Sequence, residues 1–251
     1  MKFLKSTCLS FVLFFLTSSL SAQEKPLYNP VKMKLQAKNM HILGGVEITL
    51  NSIVVGSIEY STEDNFFTFG LLGSSTLVKD YREFNYYAKL AKSGFSLTYR
   101  DVYNKPDKPA FNYEPSETGH FMDLTLEYQF AESFPLRLLW NTVVFGYDRK
   151  TINNKGNIGN QYTTYVEADY PVITGKKVNL KIGTGGTFAF RNPSGVKANF
   201  NGETAGVINV YATASRVLKI NDYKLPIDLS GIWNPQAQKT YLQITADIVS
   251  F

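Results

Sequence analysis

One cysteine, two histidines and two tryptophans are spread over 251 residues. The single cysteine, Cys8, lies in the leading segment, ahead of its apolar core rather than behind it, so it is not a lipid-attachment site. If that segment is removed on export, the mature chain carries no disulfide and no thiolate chemistry. No H-E-x-x-H, Walker-type loop, G-x-S-x-G or cysteine pair occurs, which leaves no motif for a zinc hydrolase, a nucleotide switch or an α/β-hydrolase. Long apolar runs are missing beyond the leader, so no later segment reads as a transmembrane helix. Charge of one sign is missing too. The formal net charge is +5, and setting aside Lys2 and Lys5 from the 26 basic residues leaves 24 against 21 acids, scattered along the chain. That balance does not suit a nucleic-acid partner.

What is present begins with a leader. Lys2 and Lys5 form a basic start, residues 8–16 a short apolar core, and residues 17–22 a run of mostly small side chains. This is the pattern of a secretory signal peptide over 1–22, with cleavage after Ala22, although a cut after Ser21 meets the same small-residue rule. The apolar core is too short to span a bilayer as an anchor.

Residues 120–145 set the pattern for the rest. Met122, Leu124, Leu126, Tyr128 and Phe130 share one parity, and Asp123, Thr125, Glu127 and Gln129 take the other. After a short break, Leu136, Leu138 and Trp140 oppose Arg137 and Asn141. Strand side chains alternate between faces, so this is a hairpin with one apolar and one polar side. Twelve such strands are expected, at 33–43, 53–61, 66–73, 82–92, 94–103, 120–130, 134–145, 162–172, 177–190, 204–218, 225–233 and 239–251. Short connections (62–65, 93–94, 131–133, 173–176, 219–224) alternate with longer ones (44–52, 74–81, 104–119, 146–161, 191–203, 234–238). A soluble sandwich has no physical reason to segregate its loops in this way, whereas an outer-membrane barrel does, with tight turns at one end and long loops at the other. The expected fold is therefore all-β: a single-chain antiparallel transmembrane β-barrel of twelve strands over residues 23–251.

Lipid outside such a wall demands that every backbone group be paired, and only a closed sheet achieves this. A Lys or Arg on the lipid side would cost about 2–4 kcal/mol at the midplane, so charges belong in the lumen. The lumen-lining candidates are Lys89, Arg100, Glu127, Arg137, Glu167 and Asp169, with Glu59, Glu83, Asp123, Lys181, Asp228 and Asp247 on the same parity. The narrowest ring is expected around Arg100, Glu127, Arg137 and Glu167. Aromatics gather near strand ends. Tyr60, Tyr128, Phe130, Phe134, Tyr170 and Tyr223 lie near the short turns, and Tyr81, Tyr103, Phe121, Phe145, Tyr147, Tyr162, Phe190, Trp233 and Tyr241 near the long loops. Two interfacial belts would look like this. Phe251 departs from the apolar parity of Leu242, Ile244, Ala246 and Ile248, and a bulge near Ile248 and Val249 would restore the register. The Gly183-Thr184-Gly185-Gly186 run reads as room in a barrel wall rather than as a phosphate loop.

The segments Phe84-Asn85-Tyr86-Tyr87, Gly94-Phe95-Ser96-Leu97, Asp101-Val102-Tyr103-Asn104, Phe145-Gly146-Tyr147-Asp148-Arg149 and Trp233-Asn234-Pro235-Gln236 resemble small Gram-negative outer-membrane barrels, grouped loosely with porins of the TorF type. The resemblance implies an outer-membrane location and passive transport, and it assigns no functional residues.

About 8 strands fill a barrel with side chains and about 16–18 leave a wide channel, so twelve imply a narrow lumen. The expected function is passive diffusion of small polar solutes, with outer-membrane lipid as surroundings, no cofactor and no enzymatic step. Mixed lumen charge argues against strong ion preference. Two other readings compete. A surface barrel would act through loops 104–119 and 146–161 as an adhesin or scaffold. A lipid-processing outer-membrane hydrolase would need His41 or His120 with Ser74, Ser75 or Ser116, and neither histidine sits in a recognisable motif.

Overall fold

The structure, a computed structural model, describes residues 28–250. The expected leader at 1–22 and the terminal Phe251 lie outside them. Twelve strands form the wall: β1 (Val31–Lys38), β4 (Ile53–Ser61), β5 (Phe67–Thr76), β6 (Arg82–Lys92), β7 (Phe95–Tyr103), β8 (His120–Gln129), β9 (Arg137–Gly146), β12 (Thr163–Thr174), β13 (Asn179–Ala189), β14 (Gly206–Ile220), β15 (Tyr223–Asn234) and β16 (Lys239–Ser250). Each pairs antiparallel with its neighbours, and β1 pairs with both β4 and β16, so the sheet closes into a barrel with no free edge. Closure satisfies the backbone groups that an open edge would leave unpaired.

Parity carries through to the faces. Leu97, Tyr99, Leu124, Leu126, Leu138, Trp140, Ile182, Leu229, Leu242 and Ile244 stand exposed on the outer wall. Ser96, Asn85, Asp123, Asp169, Thr187 and Asn209 are buried inside. Gly183 and Gly185 keep the inner wall low where tyrosines lie across it. A Cβ on Gly183 would meet the Tyr211 ring at 2.4 Å, and one on Gly185 the Tyr165 hydroxyl at 2.1 Å. The register shift expected near the C-terminus is present, since Leu35 opposes Val249 and Gln36 opposes Asp247, leaving Ile248 as the extra residue.

The structure corrects several expectations. The first strand does not run to residue 43. It ends at Lys38, because Asn39 accepts from the Ile244 backbone N–H and donates to the Leu242 carbonyl, and the chain then turns into a separate hairpin, β2 (His41–Leu43) and β3 (Val46–Thr49). A second small hairpin, β10 (Arg149–Thr151) and β11 (Ile158–Asn160), lies within 147–162. β5 continues to Thr76, so the connection 77–81 is short and the alternation of loop lengths is less regular than the sequence suggests. A bulge opposite Gly185 and Gly186 turns Val207 outward and buries Ile208. Several aromatics assigned to a belt turn inward. Tyr81 donates to Glu83, Tyr241 packs on Ile42 and Ile232, and Phe121 and Tyr147 meet Phe200.

Candidate functional site

The lumen holds the charges that parity placed there, in separate groups. Arg137, from β9, is the centre of the largest. Its Nε donates to Asp169 Oδ2 at 2.6 Å, Nη1 to Glu127 Oε1 at 2.9 Å and Nη2 to Glu167 Oε1 at 2.6 Å. The planar fork of arginine suits this, offering donors in fixed directions to carboxylates on β8 and β12. Tyr165 donates to Glu167 Oε2 at 2.5 Å, Asn209 donates to Tyr165 at 2.8 Å, and Ser96 donates to Glu127. Lys181 stands 3.8 Å from Asp169. Four of the predicted residues, Glu127, Arg137, Glu167 and Asp169, therefore meet.

Arg100 does not join them. It is paired with Asp123 at 2.7 Å, and Asp123 is further held by Thr125. Parity assigned Arg100 to the correct face, but a tilted, staggered wall decides which inward residues share a level, and that is not written in one strand. Lys89 lines a cavity of about 830 Å³ at the short-turn end, together with Asp64, Ser96, Glu127, Gln129 and Arg137. This vestibule has Phe66 and Phe95 at its rim and charged side chains deeper in, and it runs up to the Arg137 group.

At the other end two loops turn into the mouth. The β2–β3 hairpin packs Ile42 against Ile232 and Tyr241, and the Ile42 N–H donates to Gln243 Oε1 at 2.8 Å. Its tip crosses to β14 and β12. Gly44 lies against the Tyr165 ring, Asn234 donates to the Gly45 carbonyl, and a Cβ on Gly45 would meet the Ile208 carbonyl oxygen at 1.9 Å. Both glycines have positive φ, 56° and 80°, which the tight turn requires. Glu47 ties the returning strand to the wall, accepting from Lys239 at 2.9 Å and from Tyr241 at 3.0 Å. Those bonds, the lysine's first, hold its carboxyl below the usual range despite some burial. Burial, and then the nearby Lys38 ammonium, push the His41 imidazole down to about 4. The second loop enters at 199–201. The Phe200 N–H donates to Thr163 Oγ1, Asn201 donates to Thr187 Oγ1, and the Phe200 ring stacks near Phe121 and Tyr147. The candidate site is thus a polar lumen with an open vestibule below and an inward-folded cover above.

No protein-family model and no curated protein match the chain. Solved structures do. An outer membrane channel from Pseudomonas putida F1 matches at 13% identity and a TM-score of 0.41, over 92% of this chain and 97% of that one. CdiB from Escherichia coli matches at 7% identity and a TM-score of 0.41, over 92% of this chain and 64% of that one.

The hydrolase candidates are not assembled. Both ring nitrogens of His120 are engaged, Nδ1 with Asp101 Oδ1 at 2.7 Å and Nε2 with the Ala110 carbonyl at 2.9 Å. Ser116 donates to Glu114, and Ser74 lies inside the barrel wall. Sequence reasoning missed Asp101, a carboxylate on the outer parity. It also missed the inward hairpin, for which the Gly44-Gly45 pair between apolar residues was the available signal.

Proposed function

We propose that this chain is an outer-membrane barrel of a Gram-negative bacterium that passes small polar solutes by passive diffusion, with the β2–β3 hairpin as a cover over its lumen. A closed sheet with a mostly apolar exterior and most of its charges inside supports the membrane setting, because such a wall satisfies its backbone and keeps those charges from hydrocarbon. The resemblance to TorF-type porins points the same way. The observation that carries the conduit reading is the cavity of about 830 Å³, lined in part by Lys89, Glu127 and Arg137, that leads from the short-turn end to the Arg137 group. Selection in such a passage is by size and by the charged groups at its narrowest level, with no catalytic step.

Planar-bilayer recording tests the reading. The purified full chain should give small, infrequent conductance steps, and deletion of residues 41–49 should give larger and more frequent ones. If neither protein conducts while both insert, the chain is no conduit. If deletion leaves the steps unchanged, the hairpin is no cover.

A further inference from the structure

The outer wall carries a shielded carboxylate–imidazole pair that transport does not use. Asp101 shares the parity of the exposed Tyr99 on β7 and opposes Met122 on β8, so its carboxylate lies on the outer face. His120, two residues before Met122, lies there too. Neighbours on that face are open, with Tyr99 and Leu124 each 38% exposed, yet the side chains of His120 and Asp101 are 4% and 0% exposed. Residues of the 104–119 loop cover them.

Three bonds hold this loop against the outside of the barrel. Tyr103 donates to the Lys108 carbonyl at 2.5 Å, His120 Nε2 donates to the Ala110 carbonyl at 2.9 Å, and the Tyr113 and Tyr86 hydroxyls lie 3.0 Å apart. Tyr86 in turn donates to Asp101 Oδ2 at 2.5 Å. The imidazole is flanked by the Tyr103 and Tyr113 rings at centroid distances of 4.9 and 4.5 Å. A carbonyl can only accept, so Nε2 carries a hydrogen. Nδ1 faces the Asp101 carboxylate oxygen at 2.7 Å. The pair is a clamp with every polar atom engaged, which a charge on an outer wall demands. Next to the clamped Ala110 carbonyl, Phe111 points away from the protein and is 92% exposed.

We propose that residues 108–113 form a strap clamped to the lipid-facing wall by the Asp101–His120 pair, presenting Phe111 to the acyl chains of the surrounding lipid. This rests on the membrane setting proposed above but not on conduction. The site takes a hydrocarbon chain next to a polar headgroup. An aromatic ring beside exposed polar loop residues suits that boundary. The clamp sets the depth of the ring by fixing its neighbour to the wall.

Single-tryptophan fluorescence in phosphatidylcholine vesicles brominated high on the acyl chain tests this. One protein carries Phe111→Trp with Trp140→Phe and Trp233→Phe, and a control keeps Trp140 alone. The strap proposal expects the tryptophan at 111 to lose most of its emission to brominated lipid and to resist iodide added to the water. Adding His120→Gln should release the strap, restoring much of that emission and exposing it to iodide, while Trp140 stays quenched. If Trp140 is quenched and position 111 is not, the strap does not meet lipid. If His120→Gln changes nothing at 111, the pair is not the clamp. If Trp140 itself escapes quenching, the membrane setting fails first.

Discussion

Arg137 shows what a single residue does in this wall. Three carboxylates converge on one guanidinium that is itself largely shielded, its side chain 24% exposed. Arg137→Gln would leave Glu127, Glu167 and Asp169 facing one another with no fork to join them. Removing one partner of a fully buried ion pair costs about 3–5 kcal/mol, and a partly exposed one such as this costs less. The variant should therefore unfold at lower urea than the parent when followed by gel mobility of the unheated barrel, and Arg137→Lys should recover only part of the loss, since an ammonium cannot reproduce the fork. Alternation in β8 and β9 gave the face of Glu127 and Arg137. The same alternation, read one residue beyond Arg100, would have placed Asp101 outside. Its tolerance there depends on a loop that parity does not describe.

At the scale of elements, the strands were legible and the hairpins inside the loops were not. A strand of the wall repeats its two-residue period over eight or more residues, whereas β2 has three and too little pattern to detect. Its docking depends on contact with distant strands, which makes it tertiary information. Gly45→Ala puts a Cβ against the Ile208 carbonyl at a positive φ, so the hairpin tip should lift away. Faster amide exchange over 41–49, with the wall unchanged, is the expected result. Acid should act in the same direction. Docked His41 titrates near 4 rather than at its ordinary 6.5. As pH falls below about 6.5, the undocked hairpin binds a proton that the docked one refuses, and docking weakens until the docked form also protonates near 4. Conductance measured between pH 7 and pH 4 should therefore rise as the pH falls, and His41→Gln should flatten the dependence.

For the whole molecule, closure and the segregation of apolar from charged faces are one fact seen from two sides. The barrel could be read from sequence because alternation recurs in strand after strand, and because the inner and outer surfaces are chemically unlike along their length. What could not be read is how full the lumen is. That depends on the inward turns of 39–52 and 190–205 and on tyrosines laid over wall glycines, and no local pattern announces either. Whether hydrocarbon bathes the outer wall can be tested directly, because no cysteine follows Cys8. Single substitutions Leu124→Cys, Thr125→Cys, Leu126→Cys and Glu127→Cys, in protein reconstituted into vesicles, can each be challenged with a charged, membrane-impermeant thiol reagent. Protection is expected at 124 and 126 until detergent replaces the bilayer by a looser micelle, with reaction at 125 and 127 from the lumen side, where Glu127 lines the open vestibule. Ready labelling of 124 and 126 in intact vesicles, with 125 and 127 silent, would contradict a hydrocarbon-bathed wall.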